Sequence, residues 1–233
     1  MTILYKLVDE HDQSYGACQW GIGETHSADG KGLLCSKHWI HASRDVLLNI
    51  LLNGVQGSYN LEIAHLWHGD GLVGIDNGMT VGCTSFTTLG RIPLPVVTIE
   101  GCVLFGILVS LEVYREWHRK AHCRSWVEDW ISWAEGWLSG KDRSFKGAEA
   151  VSGIVPDMSW RPGLAAGGTA TMAAWTAEDA PWRWTITEGL KYVAKIAVWA
   201  AGTARRQGQI VGVGLDLDLV AIAHETFAIV AKE

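Results

Sequence analysis

The sequence predicts an α+β protein: a small, mostly antiparallel N-terminal sheet with one helix, followed by a C-terminal helical bundle. Two observations carry this. Residues 1–99 break into short β-type runs separated by Gly, Asp-Gly and Asn-Gly punctuation. After Glu100 the texture turns helical, and Trp126, Trp130, Trp133 and Trp137 step by four, three and four onto one stripe of a helix. Each indole can bury roughly 200 Å², which at about 25 cal/mol per Å² is too much apolar surface to leave in water. The stripe must press against the rest of the protein or against a partner. Two domains follow, 1–99 and 100–233.

Taken in order, residues 2–8 (TILYKLV) open as a strand and end in a polar turn over 9–14. Residues 15–20 resume as a second strand. Gly21, Gly23, Gly30 and Gly32 then bracket a loop that suits no regular element. Residues 33–42 form a third extended piece, and Ser43 caps a helix to about residue 53, with Val46, Leu47, Ile50 and Leu51 on its buried side. Short strands over 61–67, 72–75, 79–83 and 92–98 follow, with turns at Asp70-Gly71 and Asn77-Gly78. Pro93 and Pro95 make the last of these an edge or connecting segment. Thr84, Ser85, Thr87 and Thr88 read as a hydroxyl-rich turn.

Helices are expected over 103–120 and 124–138, the second stopped by Gly140. Residues 141–162 are less regular, with Pro156 and Pro162 as breakers. An Ala-rich helix over 164–180 and a long one from Thr185 or Thr187 to Arg206 complete the bundle. Residues 210–219 fit either period and read as helix because their surroundings are helical.

Composition narrows the function classes. With 233 residues, 48% of them hydrophobic and 19% charged, the chain can build a sizeable core. A net charge of -6 argues against a phosphate-backbone binder, so no nucleic acid is expected. The cluster Arg115, Arg119, Lys120 and Arg124 sits beside Glu112 and Glu116 and reads as a solvated helix face. The longest apolar run, 101–111, is shorter than the roughly 20 residues a bilayer requires. No membrane association is expected, and no signal-peptide pattern opens the chain. Five cysteines, odd in number, read as reduced thiols in a cytoplasm.

Reactive side chains are densest over residues 18–41: Cys18, Gln19, Trp20, Glu24, His26, Cys35, His38, Trp39 and His41. Three readings compete. Cys35, His38 and His41, with Cys18 and His26, offer zinc-type ligands. Yet an extended strand sends His38 away from Cys35 and His41, and no Cys-x-x-Cys pair is present, so no metal and no cofactor are expected. A small-molecule pocket is the second reading. Gln19, Trp20, His26, Trp39 and His41, with Trp67 beyond them, supply aromatic faces and hydrogen-bonding edges suited to a nucleotide base or sugar. The loop GIGETHSADGKG is neither a Walker loop nor a Gly-x-Gly-x-x-Gly turn. In the third reading Trp20 and Trp39 simply pack the sheet. His65 could serve as an acid–base group or as a strand-end packing residue.

The runs Leu4-Tyr5-Lys6-Leu7, Tyr15-Gly16, Gln19-Trp20-Gly21-x-Gly23, Thr25-His26, Cys35 and Trp39-Ile40-His41 together resemble an uncharacterised protein family of bacteriophage and prophage genomes. Leu66-Trp67, the segment Ile92-Pro93-Leu94-Pro95-Val96-Val97-Thr98, Phe105-Gly106-Ile107-Leu108 and Trp137-Leu138-Ser139-Gly140-Lys141-Asp142-Arg143 are similar to it too. His38 departs from that pattern. The resemblance implies a context, an accessory and anti-defence protein in the cytoplasm of an infected or lysogenic bacterium, and no activity. The opening strand, the Gly loop and the Trp-x-His strand also resemble the half-barrel of ADP-ribosyltransferase-type folds, without the Ser-Thr-Ser and Glu-x-Glu residues of that activity.

Three functions follow from these residues. The first is a binder of a nucleotide-like small molecule through Gln19, Trp20, His26, Trp39 and His41. The second is an interaction module that docks a host protein through the Trp-rich helices. The third is an enzyme acting on a nucleotide or nucleotide sugar, with His26 or His41 as acid or base. The balance favours a binder over an enzyme, and self-association as a homo-oligomer is expected under all three.

Overall fold

A long antiparallel hairpin organises the first of two compact units, Met1–Val96 and Val97–Glu233. The computed structural model describes residues 3–121, 125–154, 161–177, 180, 186–211 and 217–231. The architecture is α+β, an N-terminal antiparallel sheet and a helical C-terminal region.

Strand β1 (Ile3–Val8) pairs with β6 (His65–Asp76), and β6 pairs with β7 (Val81–Ile92). Two three-residue strands, β4 (Thr25–Ser27) and β5 (Ile40–Ala42), share the far edge of β7. Between β1 and β4 lies a separate ribbon of β2 (Gln13–Ser14) and β3 (Cys18–Gln19). Helix α1 (Val46–Leu51) is capped by the Asp45 carboxylate, which accepts from Leu48 N at 2.8 Å, and short α2 (Asn53–Gln56) follows it.

Several sequence expectations change here. The strand expected over 15–20 shrinks to β3, because Tyr15–Ala17 turns, with Gly16 and Ala17 at positive φ. The loop over 21–32 carries β4, and most of 33–42 is turn. Asp45, not Ser43, caps α1, and Leu48 and Asn49 are buried where Val46 and Leu47 are only half-buried.

The short strands of 61–83 and the hydroxyl-rich turn merge into the twelve-residue strands β6 and β7, joined at Asn77-Gly78. Asp70-Gly71 makes no turn. Gly71 is there for space: a Cβ would fall 2.7 Å from Leu4 Cδ1 and 2.9 Å from Cys83 Sγ. Gly69 likewise yields to Phe86, whose Cζ would lie 2.6 Å from an added Cβ. Residues 92–98 continue past the ladder without forming a strand.

The second unit comprises α3 (Ile99–Ala121), α4 (Ser125–Leu138), α5 (Phe145–Ile154), α6 (Arg161–Thr176), α7 (Ile186–Val211) and α8 (Leu219–Val230). Helix α5 replaces part of the expected irregular stretch. Of the ambiguous segment 210–219, residues 212–216 lie outside the described residues, and Asp218 caps α8 through Ala221 N. Gly140, at φ 72°, ends α4.

Trp126, Trp130, Trp133 and Trp137 are all buried in this unit, while Glu128, Asp129 and Glu135 are exposed. The rings of Trp130, Trp133 and Trp137 follow one another at 5.9 and 5.7 Å, and Tyr114 meets Trp126 and Trp130 at 5.8 and 5.4 Å. Where α3 meets α6, Gly106 lets the two helices approach: Thr169 Oγ1 donates to Gly106 O at 3.3 Å, and Ser110 and Thr169 share a buried hydroxyl contact. The four indoles of the stripe therefore pack within this unit's own core. No helix among the described residues is long and apolar enough to cross a membrane.

The buried indoles differ in one respect. Trp130 Nε1 donates to Ala166 O at 3.0 Å, whereas Trp133 Nε1 has no partner among the described residues. Trp130→Phe leaves a buried carbonyl short of its donor, and Trp133→Phe removes an unmet donor. The first is expected to cost about 1–2 kcal/mol more than the second, measured by urea melts of the full chain.

Candidate functional site

One face of the N-terminal sheet is an apolar floor of Leu4, Val8, Trp20, Ala42, Trp67, Val81, Cys83 and Phe86, with Cys18, Ile40 and Val73 packed against it. Into this floor the alternation of β1 sends a cation. Lys6 is 7% exposed, its Nζ donates to His41 O at 3.0 Å, and it stands 5.0 Å over the Trp20 ring. Burial pulls its pKa down to about 8, against the opposing pull of the Cys18 and Cys83 thiols. Burial also pushes the Cys83 thiol up to about 11.

Trp20 is a shared plate. On it His26 packs edge-on, with ring centroids 4.4 Å apart and its side chain 34% exposed. The Nε2 atom of His26 lies 2.7 Å from Gln19 O. A carbonyl only accepts, so Nε2 carries the proton and Nδ1 of the neutral ring has the lone pair. That nitrogen faces Cys18 Sγ at 3.5 Å. Glu24 Oε2 lies 3.9 Å from Nε2. The set is a thiol, an imidazole oriented by a main-chain carbonyl, and a carboxylate beside the imidazole.

Asp12 forms a second polar cluster on the same face. Its carboxylate accepts from His65 Nδ1 and from Trp67 Nε1, both at 2.9 Å, and pairs with Arg91. Arg91 also stands 5.3 Å over the Trp67 ring. Because Nδ1 of His65 donates to Asp12, its Nε2 is left as the basic nitrogen, the arrangement of an oriented acid–base histidine. Asp12 itself sits at φ 59°, a left-handed conformation that Asp tolerates better than most residues.

The side chains singled out from sequence divide between two faces. Trp20, His26 and Trp67 share the apolar floor. Trp39 and His41 lie on the opposite face, where the Trp39 ring covers glycines: a Cβ at Gly74 would fall 2.5 Å from Trp39 Cζ3, and one at Gly82 3.0 Å from Cδ2. His41 donates from Nε2 to Leu34 O and reaches the floor only through its carbonyl, which holds Lys6. Gln19 turns its side chain to His11 O at 2.9 Å, and its own carbonyl orients His26. A single pocket lined by all these side chains is thus not assembled.

The candidate zinc ligands part as well. His38 donates to Asp29 at 2.8 Å and Cys35 is exposed. Among the described residues no three His, Cys, Asp or Glu side chains converge at metal-ligand range.

Sequence reasoning passed over Lys6 and Asp12. Period two from Leu4 to Val8 marks Lys6 as inward-facing, a legible signal. Asp12 has none, since its partners stand 53, 55 and 79 residues away. No family model, no curated protein and no solved structure matches this chain.

Two predictions follow from these clusters. Asp12→Asn keeps the shape and the left-handed tolerance but removes the charge that answers Arg91. It is expected to cost about 2–3 kcal/mol in urea melts.

Lys6 carries a proton linkage. Between pH 8 and 10.5 the unfolded chain holds a Lys6 proton that the folded chain has shed, so stability from this group rises with pH across that window. Cys83 opposes it from pH 9 to 11, where the unfolded thiol has ionised and the folded one has not. Below pH 9 the folded Cys83 thiol stays protonated with or without Lys6, so comparison with Lys6→Met over that range isolates the lysine. The stability of Lys6→Met relative to wild type is expected to fall by roughly 1 kcal/mol from pH 8 to 9, and an unchanged difference removes the linkage.

Proposed function

We propose that the N-terminal unit is a binding module for a small anionic, nucleotide-like molecule, seated where Lys6, Trp20 and His26 meet. The observation that carries this reading is the Lys6 ammonium. It has three N–H donors, and among the described residues one acceptor, His41 O, receives them. A cation kept at 7% exposure over an indole is costly unless an anion answers it. Phosphate oxygens supply both the charge and the missing acceptors.

His26, half-exposed beside Trp20, offers an imidazole face and edge to a base or sugar. Trp20 is too buried to stack on a ligand and acts as the plate that holds both groups. His41 and Gln19 contribute through their carbonyls, one to Lys6 and one to His26. With the phage resemblance, this module is an accessory protein that sequesters a nucleotide-type signal of host defence.

A thermal-shift series with cyclic and linear nucleotides tests it. Ligand at 100 times its Kd is expected to stabilise the chain by about 2.7 kcal/mol. The effect weakens from pH 7 to 9 as Lys6 loses its proton, and it is absent in Lys6→Met. The reading fails if no nucleotide stabilises the chain, or if Lys6→Met responds like wild type.

A further inference from the structure

We propose that Cys18 is a reactive thiol, a site of reversible oxidation by peroxides, with His26 as its base and Lys6 as its counter-charge. The inference goes beyond ligand binding and does not rest on it. Reactive cysteines sit in partly exposed, electropositive surroundings beside a base, and among the described cysteines Cys18 alone combines these. Cys83 and Cys102 are buried, and burial pushes their thiols up to about 11 and about 12. Cys35 is exposed, with no histidine or cation against it among the described contacts.

Cys18 is half-buried, its Sγ lies 3.5 Å from His26 Nδ1, and the buried Lys6 ammonium attracts it electrostatically. The tautomer is already the useful one, because Gln19 O fixes the proton on Nε2 and leaves Nδ1 to accept. Lys6 is the independent sign of a negative partner at this spot: a cation more than nine-tenths buried, with one acceptor for three donors.

The Cys18 proton passes to His26 Nδ1, and the imidazolium formed is favoured by Gln19 O on Nε2 and by Glu24 at 3.9 Å. A sulfur lone pair then attacks one peroxide oxygen. The S–O bond forms, the O–O bond breaks, and the departing oxygen takes the proton from His26. Sulfur is oxidised by two electrons to the sulfenic acid, and the peroxide is reduced to water, or to water's alcohol counterpart for an organic peroxide. One external thiol condenses with the sulfenic acid to a mixed disulfide and water, and a second releases the Cys18 thiol as the two external thiols leave joined as a disulfide.

The test uses the full chain, hydrogen peroxide, and dimedone to trap sulfenic acid, with site assignment by peptide mass spectrometry. Cys35 is the built-in reference. Cys18 is expected to be trapped about ten-fold faster than Cys35 at pH 7. His26→Gln lowers the Cys18 rate about ten-fold and leaves Cys35 unchanged, while Cys83 and Cys102 staying unlabelled certifies that the variant is folded. Equal rates at Cys18 and Cys35 in the wild type, which needs no variant, overturn the assignment. So does a folded His26→Gln that reacts as fast as wild type.

Discussion

The N-terminal unit hangs on the three donors gathered by the Asp12 carboxylate. A charged oxygen pair at 13% side-chain exposure has to be answered in full, and its answers come from an imidazole and an indole on β6 and a guanidinium on β7. This ties the turn after β1 to the ends of the central hairpin. The same residue's carbonyl accepts from Trp20 N at 2.9 Å, so the anchoring passes directly to the plate on which Lys6 and His26 rest. The side chain of residue 12 and its backbone thus do separate work, one closing the sheet and the other placing the site.

That placement explains why the floor tolerates a lysine. Leu4 and Val8 flank Lys6 on β1 and face the same apolar cluster, so period two leaves the ammonium no route to water along the strand. Three partial compensations remain: the His41 carbonyl, the Trp20 π-face and the electrostatic pull of two thiols. None is a full counter-charge. The lowered pKa is the quantitative sign of that shortfall, and it is the reason a phosphate or a thiolate at this spot is chemically reasonable.

What could be read in the sequence tracks the range of the interactions involved. Helices α3 and α4, the Gly140 stop and the burial of all four stripe indoles follow from local periodicity, and each is present. The hairpin was legible at Asn77-Gly78 but not in its length. Glycines at 69 and 71 look like turn formers to a local reading, whereas their cause is non-local, the side chains of Leu4, Cys83 and Phe86 crossing the sheet. The site divides the same way. Trp20 and His26 come together because β3 and β4 lie close in the chain. Sequence proximity alone groups Trp39 and His41 with them, whereas Trp39, just before β5, and His41, within it, place their side chains on the other face.

Tryptophan does two different jobs in this chain, and the difference lies in what the ring touches. In the helical unit the stripe indoles meet one another and Tyr114, so what they contribute is buried area and shape, with one N–H, that of Trp130, bonded to a carbonyl. In the sheet unit each buried indole meets a charge: Trp20 lies under Lys6 and Trp67 under Arg91, with the Trp67 N–H on Asp12. A ring in that position supplies a face that a cation can approach without water, which an aliphatic side chain of similar area does not. The sheet unit therefore uses Trp20 and Trp67 to keep ionic groups inside an apolar floor, and it is this use, more than the number of indoles, that sets Lys6 and Arg91 among buried rings.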